Sequence, residues 1–541
     1  MSDDRIGRAS LFLASGTVVS RILGFVKAAV LVSAIGITGA SADAFAVANQ
    51  LPNTVYVVVA GGVLSAVLVP QIVRAGLHAD GGRAYINRLL TLALVILVGI
   101  TLLATLAAPL LAWLYGIKLD QSTRDLATLF AYWCLPQIFF YGLYTLLGEV
   151  LNARRSFGPF TWVPVLNNLV AIAGLVVFMA VWGSDPDGLR DASSWDPAMI
   201  AVLAGSASLG IAVQAVVLFW FWRRIGLRYR PDFRWRGVGL GDAGRMASWT
   251  FGMLLLTTFA GLVETNVVGE ASGQGSASVA ALGNAWLLFM LPHSVITVSI
   301  ATAYFTRMSE HASLGDTDRV RADFSSATRG VGLIIVLASI VLVMCSYPFA
   351  TAFVSGASFD TKLVFGNVVV AYMVGLLPFS MLFIVQRTFY ALGDTKTPFF
   401  FTLFQVVLFS GGALLLLNVL PEFIAIGIAL LTSLACVAQV TLAAILLRRR
   451  LGGIDGWHIT SSFVRYAIGA VPAVIVGFVT LVLLGGISED GFAMSGLFPA
   501  VLSMAVIGVV MSLAYLGTLW LIRTPELRGF AEPVLRRLRR G

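Results

Sequence analysis

The chain reads as an all-α polytopic membrane protein that crosses the bilayer about fourteen times. Of its 541 residues, 58% are hydrophobic and only 12% are charged, and its mean hydropathy is +0.90, too apolar for a soluble globule. Apolar runs of roughly 20 residues, the length that spans a bilayer as a helix, follow one another from end to end. The gaps between them alternate between Arg-rich and Arg-poor, the pattern left by basic loops that stay in the cytoplasm. The Arg-rich gaps begin with Arg5 and Arg8 and continue through Arg83 and Arg88, Arg154 and Arg155, Arg223 to Arg245, and Arg307 to Arg329. The pair Arg387 and Lys396, the group Arg448 to Arg465, and the tail from Arg523 to Arg540 complete the series. The other gaps hold Lys118, Arg124, Arg190 and Lys362, and carry acids instead, among them Asp185, Asp187, Asp191, Glu422, Glu489 and Asp490. Both termini are therefore expected in the cytoplasm. The net charge of +9 is a topology signal rather than a nucleic-acid footprint, because the Arg residues flank apolar spans instead of forming one stripe.

Element by element, the first span, about 9–36, keeps internal charge and has no small-residue cleavage site, so it reads as a retained helix rather than a signal peptide. The second, about 43–75, opens on Asp43 and is interrupted by Pro52 and Gly61-Gly62. Spans of about 86–116, 123–152, 159–183 and 197–222 complete a first set of six. A longer basic loop at 227–241, with Phe233 and Trp235 among its Arg residues, suits a segment lying against anionic lipid. Spans of about 243–268, 277–306, 326–354, 362–391 (with Pro378 inside), 397–420 and 423–447 form a second set. Two more follow, at about 461–485 and 494–522.

The two sets of six look like copies of each other. Leu51-Pro52 recurs as Leu291-Pro292, at an offset of 291 − 51 = 240, and Pro159-Phe160 recurs as Pro398-Phe399, at 398 − 159 = 239. Copies of six spans share one orientation, as in transporters whose lobes are related by an axis along the membrane normal. The expected organisation is an N-terminal lobe at 1–226, a linker at 227–241, a C-terminal lobe at 242–450, an added helix pair at 451–522 and a basic tail at 523–541.

Ionisable side chains inside spans carry the functional information, because each costs at least a few kcal/mol at membrane depth and usually faces a water-filled cavity or a partner. Arg21 and Lys27 lie in the first span, separated by about 9 Å along the axis and about 120° around it, so they can flank one cavity at two depths. The competing reading is snorkelling to an interface. Asp43 is either a helix-start acid or the carboxylate that pairs with Arg21 or Lys27 when the outer side closes. Glu264 lies near the end of the seventh span and either binds a cation or proton or is held by hydrogen bonds. Asn167 and Asn168 read as helix-packing contacts. Cys134, Cys345 and Cys436 fall inside apolar runs as buried thiols.

No phosphate loop with Lys and Ser/Thr and no His-Glu-x-x-His occurs, and His78, His293, His311 and His458 are scattered, so neither an ATP-driven pump nor a metalloenzyme is expected. Asp185, Asp187, Asp191 and Asp196 sit on one outer loop, where an integral-membrane glycosyltransferase would group its acids, but they read as a solvated turn. A non-transporting scaffold would not need a charged first helix.

The stretch Ser20-Arg21-Ile22-Leu23-Gly24-Phe25-Val26-Lys27, followed by Asp43-Ala44-Phe45, Leu51-Pro52-Asn53 and Val69-Pro70, resembles the start of the MurJ (MviN) lipid II flippases of the MOP superfamily. The resemblance continues through Leu291-Pro292 and Phe389-Tyr390-Ala391-Leu392-Gly393-Asp394-Thr395-Lys396-Thr397-Pro398. It implies a V-shaped pair of lobes with alternating access, around a cationic cavity for the pyrophosphate and sugar of an undecaprenyl-linked peptidoglycan precursor. It also implies Arg21, Lys27, Asp43 and Ser65 as substrate-binding positions, with Arg21 as the bidentate phosphate anchor. Family members that bind sodium through the seventh, eleventh and twelfth helices imply Glu264, with Gln405 and Thr432 as neighbours, for a sodium or proton coupling site; no other cofactor is implied. The implied partners are lipid II, the bilayer and cell-wall synthesis proteins, with no nucleic acid. The chain departs from the family where further basic residues follow the Leu-Pro-Asn turn, having Tyr56 and Val57 there, and where the eighth helix supplies an inward Arg, having Trp286, Leu287 and Leu288. The competing cargo is another lipid-linked oligosaccharide or a cationic drug, and the drug would favour acids over Arg in the cavity.

Overall fold

The computed structural model describes residues 3–59, 83–153, 157–224, 229–234 and 244–527, and every regular element among them is helical. Ser65, Gly61-Gly62, Arg154-Arg155, Trp235 and the tail beyond residue 527 lie outside the described residues. The chain forms two compact units, Met1–Gln274 and Gly275–Gly541. In the first, α1 (Asp3–Ile35), α2 (Ala40–Val59), α3 (Arg83–Leu106), α4 (Ala108–Tyr115), α5 (Gln121–Cys134) and α6 (Gln137–Ala153) are followed by α7 (Phe157–Trp182), α8 (Pro197–Arg224) and α9 (Gly244–Gly269). The second holds α10 (Val279–Pro292), a π-helical turn (His293–Thr297), α11 (Val298–Ser313), α12 (Thr317–Met344), α13 (Ser346–Phe353), α14 (Phe359–Met373), α15 (Leu376–Ala391), α16 (Lys396–Leu415), α17 (Pro421–Leu451), α18 (Gly456–Leu483) and α19 (Leu497–Leu521).

Thirteen spans among the described residues are long and apolar enough to cross a membrane. The second expected span is described only to Val59, as α2 with Pro52 inside it, and is not among the thirteen. Pro378 falls in the first turn of α15, and the tenth span breaks just before it, between Met373 and Leu376. Proline is tolerated in a first turn because its missing N–H has no intrahelical partner there in any case.

The duplication is visible in the element boundaries. α4 and α13 start at 108 and 346, an offset of 238; α6 and α15 start at 137 and 376, an offset of 239; α7 and α16 start at 157 and 396, again 239. Pro159 and Pro398 are each the third residue of their helix. The same offset takes the start of α2 at 40 to the start of α10 at 279.

Apolar burial does not drive helices together in lipid, so close packing and polar contacts must. In the first unit α1 packs on α7, α7 on α8, α2 on α5, and α3 on α6, with Leu89, Leu97, Leu146, Leu147, Val150 and Leu218 in one buried cluster. In the second, α18 and α19 pack together and against α12 through Tyr466, Ala473, Ile507, Met511, Tyr515 and Leu333. The Tyr hydroxyls there donate to main-chain carbonyls, Tyr466 to Arg329 and Tyr515 to Leu333, both at 3.0 Å. At the end of this group Arg329 pairs with Glu526 at 2.8 Å, and Ser462 donates to the same carboxylate oxygen at 2.8 Å. The added helix pair is thus tied to α12 by a buried charge-assisted contact.

Part of the basic loop between α8 and α9 is fixed to α3. Asp232 accepts from Arg88 Nε at 3.0 Å and from Arg234 Nη2 at 2.9 Å, and Thr91 bonds both Tyr229 and the Asp232 backbone N–H, each at 3.0 Å. The hydrogen bond from Arg234 holds the Asp232 carboxyl well below the usual carboxylate range, and Arg88 adds to the effect. Phe233 remains exposed, as an interfacial aromatic would.

Candidate functional site

Arg21 and Lys27 lie on one unbroken helix, so their expected separation in depth and angle holds. α1 is pinned beside Arg21 from the opposite partner. Asn168 of α7, buried, donates to the Ser20 carbonyl at 2.9 Å, the packing role expected of it. Arg21 is exposed, next to an apolar stripe of Val18, Ile22 and Val26. Lys27 is partly buried, and no carboxylate among the described residues stands within ion-pair distance of it. A cation in an apolar helix with no neutralising neighbour leaves positive potential for an anion to meet.

Asp43 is fully buried in the first turn of α2 and accepts a hydrogen bond from Ser272 at 2.6 Å. It anchors one of four contacts that fasten the end of α9 to the same end of the first unit. Gln50 meets Thr265 at 3.4 Å; Asn266 donates to the Leu114 carbonyl at 2.8 Å and accepts from the Ile117 N–H at 2.8 Å; Lys118 pairs with Glu270 at 3.1 Å. Sequence reasoning missed Ser272 and Thr265, whose partners lie 229 and 215 residues away in the chain. The outcome for α9 is a helix that opens the second copy by sequence yet is bonded at its far end within the first unit.

The acidic loop between α7 and α8 is built by its own acids. Asp185 accepts from the Leu189 and Arg190 N–H groups at 2.9 and 2.8 Å, Asp191 from Ser193 N–H at 2.9 Å, and Asp196 from Met199 N–H at 2.8 Å. Arg190 lies over the Phe178 and Trp195 rings, while Ser41 donates to the Arg190 carbonyl at 2.9 Å. Gly188, at φ 68°, presses on the turn between α1 and α2, where a Cβ would stand 2.8 Å from the Gly39 nitrogen. These carboxylates serve as caps and turn formers rather than as a group poised for catalysis.

The residues proposed for ion coupling are divided between the units. Glu264 of α9, in the first, is partly buried. Gln405 of α16 and Thr432 of α17, in the second, are partly buried, and the Thr432 hydroxyl donates to its own helix at Ile428, 2.8 Å away. The polar contact joining α16 to α17 is Gln439 with Thr402, at 3.3 Å. Among the described residues no three His, Cys, Asp or Glu side chains are grouped as a metal site.

In the second unit α10 and α15 meet through aromatic rings. Trp286 stacks on Phe289, ring centroids 4.8 Å apart, and buried His293 meets Ser380 at 3.2 Å between the Phe379 and Phe383 rings.

Comparison with known proteins agrees with this architecture. A solved structure described as lipid II flippase MurJ in an inward closed conformation is 18% identical, with a TM-score of 0.71, over 94% of this chain and 99% of that one. A multidrug resistance MATE family transporter of the MOP superfamily, in an inward-facing conformation, is 15% identical, with a TM-score of 0.63, over 81% of this chain and 96% of that one. These likenesses show the fold. A probable lipid II flippase MurJ of Haemophilus influenzae is 26% identical over 84% of this chain and 89% of its own length, and one of Rhizobium tropici is 27% identical over 86% and 85%. The family model described as lipid II flippase MurJ matches residues 31–503, a range that starts just after Arg21 and Lys27 and runs through α2 to α19. By that match the chain belongs to the MurJ lipid II flippase family.

Proposed function

We propose that this protein moves lipid II, the undecaprenyl-pyrophosphate-linked peptidoglycan precursor, from the inner to the outer leaflet of the bacterial cytoplasmic membrane by alternating access. Family membership supports the cargo class. The observation that carries the chemistry is the charged first helix: Arg21, exposed within an apolar span, offers a planar fork to phosphate oxygens, with Lys27 deeper along the same helix. A lipid pyrophosphate needs fixed positive charge, while its polyprenyl tail needs only lipid. Depleting the protein and reading lipid II sidedness in intact cells tests the proposal: the precursor should accumulate in the inner leaflet, and unchanged sidedness would refute it.

The basic-loop end faces the cytoplasm and the acidic loop faces outward, as the Arg alternation supports. Glu264 is proposed to release and rebind a sodium ion or proton during the cycle, because a carboxylate in an apolar span is costly unless protonated or paired. Transport by Glu264→Gln with the wild-type ion response would remove that role. Partners beyond the cargo and the bilayer would be cell-wall synthesis proteins, for which co-purification is the test.

A further inference from the structure

The second unit carries a cation that the sequence counts with a basic gap although it falls inside the expected span 362–391. Arg387 lies within α15, inside the span Phe359–Ala391, and is partly buried. Its guanidinium sits 4.9 Å from the Phe383 ring centroid and 5.6 Å from that of Phe305 on the adjacent α11. No carboxylate among the described residues pairs with it. Arg307, two residues beyond Phe305 on α11, is by contrast neutralised by Asp323 at 2.7 Å. Rings hold a guanidinium by its faces and leave its in-plane N–H donors directed outward, so Arg387 is oriented yet keeps its hydrogen-bonding edge.

The helix beside it is polar where a lipid-facing helix is not. Ser299, Thr302, Ala303, Thr306, Arg307 and Glu310 are exposed along α11. Thr302 is three residues from Phe305 and four from Thr306, so it shares a helix face with both the ring that supports Arg387 and the second hydroxyl. Along the middle of α18 and α19 the exposed side chains are instead mostly apolar, among them Val471, Ile475, Phe478, Val509 and Leu513.

We infer that Arg387, bordered by Thr302 and Thr306, is a phosphate-binding position of the second unit that contacts the pyrophosphate of the lipid cargo, supplying there the positive charge that Leu287 and its neighbours do not. This rests on the proposed function. Arg387 donates bidentately to phosphate oxygens, and the two hydroxyls, which donate to the Val298 and Thr302 carbonyls at 2.7 and 3.4 Å, accept from sugar hydroxyls.

The test uses the purified full chain in phosphatidylcholine nanodiscs, titrated with lipid II and, separately, with phosphatidylglycerol. Arg387→Ala should weaken lipid II binding about tenfold or more, and Arg387→Lys should restore only part of it, because an ammonium lacks the fork. Phosphatidylglycerol binding should change less than about twofold. Thr302→Val with Thr306→Val keeps both shape and Arg387 and should still weaken lipid II binding about threefold, which serves if Arg387→Ala does not fold. Unchanged lipid II binding in these variants overturns the inference, and so does an equal loss of phosphatidylglycerol binding, which would make Arg387 an anchor for surrounding phospholipid. Absence of lipid II binding by the wild type would instead overturn the functional proposal.

Discussion

Arg21 follows a carbonyl that Asn168 holds, so the backbone carrying it is fixed while its side chain stays accessible. A side chain placed that way acts by charge and shape rather than by packing. Arg21→Ala should abolish lipid II translocation, and Arg21→Lys should lie far below wild type, at normal membrane levels; near-normal flipping by the alanine variant would place the anchor elsewhere. This residue and Lys27 were legible in the sequence because a charge in an apolar run stands out unaided. The Ser272 contact to Asp43 was not, since it joins residues 229 apart and needs the fold to bring them together. Arg387 was harder to weigh for another reason: it falls inside the expected span 362–391, whose end agrees with the helix boundary at Ala391, yet Lys396 follows closely and the two read together as one basic gap.

At the level of elements, the loop between α8 and α9 owes its described part to one carboxylate. Asp232 joins Arg88 of α3 to Arg234, and its depressed titration means the tie is complete above the unfolded carboxylate value of about 3.9 and is lost as pH falls through the lower folded value. Tryptic cleavage in this loop should therefore be flat between about pH 5 and 8 in the wild type, and Asp232→Ala should be cut several-fold faster throughout. A wild-type rate that climbs across that range would contradict the account. The sequence marked this segment as basic and interfacial through Phe233, but Asp232 drew no notice, because one acid among many Arg residues carries no pattern of its own.

For the whole molecule, two Leu-Pro and Pro-Phe echoes in the sequence foretold a repeat that the element boundaries carry at 238 to 239 residues. Thirteen of the fourteen expected spans recur among the described residues, because lipid imposes a length rule on every span. The breaks after Cys134 and Met373 were harder to read, since short apolar helices and one long span share the same composition. The topology that follows places position 155 in the cytoplasm and the loop from Asp185 to Asp196 outside. Single cysteines at 155 and 187, probed with an impermeant maleimide in intact cells, should label only at 187; labelling at 155 would invert or dismantle the arrangement.

The π-helical turn at His293–Thr297 keeps a ledger of phase along the eighth span. In an unbroken α-helix Ala301 and Met308 would lie about 120° and 100° around the axis from Phe289. With one residue absorbed by the wider turn, they return to within about 20° of it. All three are buried, so the extra residue is what lets the halves on either side of Pro292 share one inward face. An insertion of this kind is reversible in principle. Deleting Ile296 should turn the π turn into an ordinary one, leave the buried face aligned and yield a monodisperse protein on size-exclusion of detergent extracts. The same deletion at Leu337, midway along the uninterrupted α12, should rotate everything beyond it by about 100° and abolish folding.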